Sequence, residues 1–403
     1  MKHLKFLALW FFGATILFTS CKKDEEVEET PTPTPTPAPG VITVTSDITS
    51  SATWQSGTIY VLAGRIAVTN GATLTIEAGT IIKGETGTGT DASALLIARG
   101  SKLNAIGTVD SPIIFTTTDD EIDYSDLDAG NFGSPNLTAD QFGRWGGLLI
   151  LGNAPISASA SEIQIEGIPT SDPNGLYGGN NPEDNSGTIR YVSIRHGGTD
   201  IGNGNEINGL TLGGVGNGTI IDNIEVVANQ DDGIEWFGGT VDVTNVVVWK
   251  SGDDAIDTDQ AWSGTLTNFV VVSPGNHCLE LDGPEGTLQG THTIQQGSIK
   301  ADACVKLIQL DATTSGANQP SAVNLNNLFF TSITAPTQVI DQVNISGVTF
   351  STVLLNVDAA NLTTYTNGNT PANGGIEAGT DPQAIINDLQ WTWTFKSGAM
   401  SGL

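Results

Sequence analysis

The stretch that decides the fold reads NIEVVANQDDGIEWFGG at Asn223–Gly239, NVVVWKSGDDAIDTDQAWSG at Asn245–Gly264 and NFVVVSPGNHCLELDGPEG at Asn268–Gly286. Stepping by 22 and then 23 residues lays the three segments over one another in columns. Asp231 falls on Asp253 and Asn276, Asp232 on Asp254 and His277, Glu235 on Asp257 and Glu280, and Phe237 on Asp259 and Asp282. A period of this length marks a solenoid, in which each turn buries part of a shared core and residues one period apart become stacked neighbours. The acidic columns are therefore expected to form a ladder, and function is expected on it.

Towards the N-terminus, Gly71–Gly84 and Gly100–Thr108, followed by Pro112–Phe115, repeat one grammar of alternating aliphatics and then a glycine corner. Helical periodicity is almost absent. Strands wound in this way stack about 4.8 Å apart in parallel sheets and point Leu, Ile and Val into one continuous column. The fold class expected is all-β, a single-stranded right-handed parallel β-helix. Two long irregular segments, Asp119–Phe142 and Glu166–Gly187, read as loop insertions. Ile385–Phe395, where Trp391 and Trp393 alternate, reads as a C-terminal cap over the open end of the core.

The N-terminus reads as export and tethering. Lys2 and Lys5 precede the apolar run Phe6–Phe18, which is too short for a comfortable membrane span. Residues 1–20 are expected to be removed as a signal peptide. Phe18-Thr19-Ser20-Cys21 resembles a bacterial lipobox, which implies that Cys21 carries lipid. The run Lys22–Glu29 has the character of a solvated tail. It also resembles the Lys-plus-acidic signal that sends lipoproteins of Bacteroidota-type bacteria to the outer face of the outer membrane. Thr30–Gly40 alternates Thr and Pro, an extended spacer of roughly 3 Å per residue. Residues 21–40 thus form a lipidated tether, and 41–403 the β-helix domain. With 15 basic against 44 acidic residues the net charge is −29, which excludes nucleic acid and anionic membrane surfaces as natural partners. Besides Cys21 there are only Cys278 and Cys304, too few for a disulfide framework; both align as inward small residues, expected to be buried thiols.

Gly143-Arg-Trp-Gly-Gly-Leu-Leu-Ile-Leu-Gly-Asn-Ala154, Arg190-Tyr-Val-Ser-Ile-Arg-His-Gly-Gly198, Asp231-Asp-Gly-Ile-Glu-Trp-Phe-Gly-Gly-Thr-Val241 and Ser251-Gly-Asp-Asp-Ala-Ile-Asp257 follow in this order. The set is similar to a widespread group of bacterial surface lipoproteins with β-helix repeats, of the pectate-lyase-like superfamily. The resemblance implies fold and location, and no reaction follows from it.

Two bare carboxylates about 4.8 Å apart repel by about 3 kcal/mol at an effective dielectric near 20. A bound cation, a shared proton or outward splay into water would relieve this. Ca²⁺ suits the first, because it accepts six to eight oxygens in loose geometry; its candidate ligands are Asp231, Asp232, Asp253, Asp254, Asp257 and Asp259. The competing reading is a solvated acidic face whose Asp and Asn side chains satisfy turn backbones.

Gly252-Asp253-Asp254-Ala255-Ile256 resembles the Gly-Asp-Asp-Cys-Ile motif of polygalacturonases. That resemblance implies Asp232, Asp253 and Asp254 as acid and base carboxylates, with His277 assisting from the next coil. The family's later Arg-Ile-Lys is absent, the nearest string being Ser298-Ile299-Lys300, so an anionic uronate would be poorly held without calcium. Glu235, Trp236, Trp262 and Glu280 are candidate ligand-binding residues, with the indoles, and Trp249 beside them, placed to stack on sugar rings or to fill the core. Arg190, Arg195 and His196 are placed to pair with Asp222 or Glu225, or to meet a substrate.

The combined reading is a lipid-anchored, outer-membrane and cell-surface β-helix that binds an extracellular glycan or surface protein, with Ca²⁺ in the ladder. The alternatives are a glycoside hydrolase or polysaccharide lyase built on the stacked aspartates, and a structural envelope protein. Oligomeric state is not legible.

Overall fold

A computed structural model describes residues 40–201, 207–312, 318–371 and 374–403. The signal peptide, Cys21 and nearly all of the spacer lie outside the described residues. Among those described, the chain winds into two parallel sheets, one of 15 strands and one of 8. It is the right-handed parallel β-helix that the alternating aliphatics require. Ile189, Ile221, Val243, Leu266, Ile294 and Leu325 occupy one register position in successive coils and stack as a buried column.

From Gly187–Arg195 to Val348–Leu355, each successive long-sheet strand bends at a residue in the left-handed region, and the bends themselves are stacked. Tyr191, Asn223, Asn245, Asn268, Gln296 and Asn327 have φ between 49° and 59°. Asparagine tolerates this conformation better than most side chains, which accounts for its recurrence at the corner. The Asn245 amide donates to Asp222 Oδ1 at 3.0 Å and that of Asn268 to Asn245 Oδ1 at 2.7 Å, so neighbouring coils satisfy one another's polar groups. The bend divides the long sheet into two faces, and the short sheet forms a third.

The first insertion, 119–142, contains a short helix at Tyr124–Asp128 and buries Ile122, Leu127 and Phe132 against the outside of the long sheet. The second is longer than the Gly- and Pro-rich text suggests. It leaves the coil after Leu151 and returns at Gly187, with a small antiparallel pair at Ile163–Gln164 and Leu176–Tyr177. Ile156, Ile165, Ile168 and Tyr177 pack on Leu149, Leu151 and Phe237, which covers part of the short sheet's outer surface.

The terminal cap is not where the alternating tryptophans place it. The core's end is covered by Ala359–Thr366, whose Leu362 and Tyr365 pack against it. Ile385–Phe395 instead runs back along the outside of the long sheet: Trp391 meets Tyr191 edge-on at 5.6 Å, and Trp393 meets Trp249 at 5.5 Å. Outward-facing valines at 247, 270 and 272 form an apolar strip, and this lateral segment buries it.

Candidate cation site

The short sheet carries the ladder in the register that the period predicts. Glu235 pairs with Asp257 and Asp257 with Glu280, while Phe237 pairs with Asp259. Ile234, Ile256 and Leu279 alternate with them and fill the core, which turns the acids outward. In the turn before each strand the columns also touch. Asp232 Oδ1 accepts from the Asp254 backbone N–H at 2.9 Å, Asp254 Oδ1 accepts from the His277 N–H at 2.5 Å, and Asn276 donates to Asp253 Oδ1 at 2.6 Å.

The late end of the ladder neutralises itself. His277 Nδ1 lies 3.0 Å from Asp254 and 3.6 Å from Glu280. Burial alone would lower the imidazole's pKa, but its hydrogen bonds to the two carboxylates outweigh that and raise it to about 9. Burial acts on Glu280 in the opposite sense and is likewise outweighed by His277, which holds the carboxyl at about 2. Burial, and then Glu280 beside it, outweigh the hydrogen bond to His277 and push Asp254 up to about 7. Gln309 donates to Glu280, and Lys306, paired with Asp341 at 2.7 Å, occupies the position after His277 in its column.

This contact has a pH signature. A raised folded-state pKa means that the His277 contribution is complete below about 6.5 and is lost as pH rises through about 9. His277→Gln is expected to flatten the fall in unfolding midpoint between those values. A variant that keeps the full alkaline slope would contradict the ion pair.

The middle of the ladder has no such partner. Asp232, Glu235 and Asp257 each present an oxygen within 4.8 Å of the others, and Asp231, Asp232 and Asp253 do the same, with Asp232 common to both groups. Burial, and then the neighbouring acids, push Asp232, Glu235 and Asp257 well above the usual carboxylate range. Among the described residues no basic side chain pairs with any of these three. Asp257 keeps part of its surface exposed, yet its Oδ1 is buried and makes no hydrogen bond.

Asn208 completes this pocket and was not singled out from the sequence. It is 5% exposed, its Nδ2 donates to Glu235, and its Oδ1 is buried without a partner. Leu210 pairs with Ile234, so Asn208 stands one coil before Asp232 in the same column. Extending the columns one step backward by 24 residues finds it. A half-turn of the amide would direct Oδ1 at the same space. The four side chains then offer an all-oxygen donor set of the kind a hard divalent cation takes, with Asp257 at the solvent edge.

Several candidates fall elsewhere. Asp254 is taken up by His277 and is not part of the open group. Asp259 converges with none of the groups that bring three ligand atoms together among the described residues. Trp236 and Trp262 cannot meet a ligand: they are fully buried, stacked on each other at 4.7 Å, and Trp262 also lies 5.0 Å from His292. Trp236 faces inward because it alternates with the outward Glu235, and Trp262, in the turn after Asp259, is held there by donating its Nε1–H to the Val241 carbonyl at 3.0 Å. Glu280 is held by His277 and Gln309. Arg190 pairs with Asp222 at 3.2 Å, and Arg195 with Glu225 at 3.7 Å, both away from the ladder. Cys278 and Cys304 are free, buried thiols.

Comparison with curated proteins and with solved structures gave no match. A family model described as "Pectate-lyase like beta helix domain" matches residues 46–380, which takes in every coil described above and the whole acidic ladder. Sequence period, parallel sheets and this match agree, and the chain belongs to the pectate-lyase-like β-helix domain family.

Proposed function

We propose that the protein is a lipid-anchored, cell-surface β-helix that holds a divalent cation of the calcium type at Asp232, Glu235, Asp257 and Asn208, and binds an extracellular glycan beside it. One contrast carries the reading. At the His277 rung the columns contain their own cation, whereas one coil earlier the same columns bring the buried Asp232 and Glu235 and the half-buried Asp257 within 4.8 Å of one another, with no basic partner among the described residues. Desolvated charges at that spacing are tolerable only if protonated or bridged. The buried Oδ1 of Asp257, which makes no hydrogen bond, and an Asn208 amide that can turn its oxygen toward the same space support a bridging ion. Calorimetric titration of the chelator-stripped chain with CaCl₂ tests this. An affinity left unchanged by Glu235→Gln and by Asp257→Asn removes the site.

The anchor rests on the apolar run Phe6–Phe18, the Thr19-Ser20-Cys21 junction after it and the Thr-Pro spacer that follows. Cys21→Ser is expected to release the chain from the membrane fraction of an expressing bacterium, and retention of the variant there would refute the lipid. Hydrolysis or elimination by the Asp232, Asp253, Asp254 and His277 set is the weaker reading. Asp254 is 1% exposed and bonded to the backbone and ring of His277, so it does not reach a substrate as it stands.

A further inference from the structure

A cleft of about 440 Å³ lies between the second insertion and the short sheet, beyond the cation site along the ladder. Ile165, Ile168, Tyr177 and Phe237 supply its apolar side, and Glu166, Asp259 and Glu285 its carboxyl groups. A volume of this order is that of small-molecule pockets, and here the polar lining, Gln164, Glu166, Asp259, Gln260 and Glu285 among it, outweighs the apolar. No basic residue lines it. The insertion's ion-pair partners are engaged outside it, Arg65 with Asp172 at 3.4 Å and Arg99 with Glu162 at 3.0 Å. A second cleft of the same volume, near Pro320 and Gln342, has no charged lining residue at all.

We infer that this cleft binds an organic ammonium ion, a ligand class beyond the divalent cation and glycan of the preceding reading. Spacing separates the two kinds of cation. The oxygens of Glu166, Asp259 and Glu285 are not among the groups of described residues that converge within 4.8 Å, so one bare metal ion would not satisfy them. An alkylammonium ion is larger, donates in several directions at once and brings an apolar stem for the isoleucine and aromatic walls. Glu285 is fixed in position: Tyr177 donates to Gln260 Oε1 at 2.8 Å, and Gln260 donates to Glu285 Oε2 at 2.8 Å. The Asp259 carboxylate makes no hydrogen bond among the described residues, although it lines the cleft. Tyr177 and Phe237 meet edge to face at 6.0 Å and fix the wall behind it.

The probe is 1,4-diaminobutane, against 1,4-butanediol of the same length and against glucose as a neutral polyol. Binding is followed by calorimetry on the full chain near neutral pH, once in chelator and once in saturating calcium. The diamine is expected to bind about ten-fold or more tightly than the diol, in both buffers, and more weakly as salt is added. Asp259→Asn and the exposed Glu166→Gln are each expected to raise its dissociation constant about ten-fold while leaving the unfolding midpoint at or above that of the parent. Equal affinity for diol or glucose, retention of full affinity in both variants, or no saturable diamine binding overturns the inference. Persistence of diamine binding in saturating calcium separates this cleft from the Asp232 cluster. Failure of calcium to bind leaves the diamine result standing.

Discussion

Calcium at a hundred-fold excess over its dissociation constant is expected to stabilise the folded chain by about 2.7 kcal/mol near neutral pH, and Asp232→Asn to abolish that gain. Asp232 is the residue to change because it belongs to both convergent carboxylate groups. The sign with pH follows from the shifts. Asp232, Glu235 and Asp257 have folded-state pKa values raised above 3.8, 4.5 and 3.8, so the metal-free fold is most favoured below those values and loses stability as pH rises through the higher folded ones. Calcium competes with these protons, so its stabilising effect grows as pH rises and disappears in acid. Asparagine at 232 removes a buried charge and keeps an oxygen for the Asp254 N–H. Without calcium and near neutral pH the variant is therefore expected to unfold at a higher temperature than the parent. Thermal unfolding in calcium and in chelator across the acid to neutral range checks both halves. A midpoint indifferent to calcium at every pH would leave the ladder a structural feature only.

Glu225→Ala is expected to cost about 3–5 kcal/mol, the range for leaving a buried charge without its partner. Arg195 and Glu225 are both fully buried. Glu225 Oε2 accepts from Ser193 at 2.6 Å, and Ser193 accepts in turn from Arg195 Nε at 2.8 Å. Glu225 Oε1 accepts from the backbone N–H and the hydroxyl of Thr394, both at 2.8 Å. Trp393, one residue earlier, lies 5.0 Å from the Arg195 guanidinium. One carboxylate therefore fixes an internal charge and also fastens the lateral C-terminal segment to the coils. Its loss should lower the unfolding midpoint and expose residues 381–403 to protease before the rest of the chain. Changing Arg195 to Met as well should recover part of the stability, because no charge is then stranded. If Glu225→Ala unfolds with the parent and its C-terminus stays protected, the pair is not what holds the segment.

The winding was legible in the sequence because a solenoid makes contacts one period away, and the period is visible as repeated text. Glu235, Asp257 and Glu280 stack as the 22- and 23-residue steps require. The same logic reaches Asn208, once the columns are followed back a further coil. What the steps could not reveal is which rungs are already neutralised. His277 looks like one more ladder residue in sequence, and only its position between Asp254 and Glu280 makes it the ladder's own cation.

The sequence by itself determined the repeating element: inward aliphatics, outward acids and the asparagine corners follow from strand alternation and from backbone conformations available to few side chains. Tertiary structure decided everything that leaves the repeat. The second insertion covers the short sheet's outer surface and creates the acidic cleft, and the segment carrying Trp391 and Trp393 lies along the coils instead of over their end. Such segments choose their seat by apolar surface that the coils expose only after winding, and no local pattern encodes that choice.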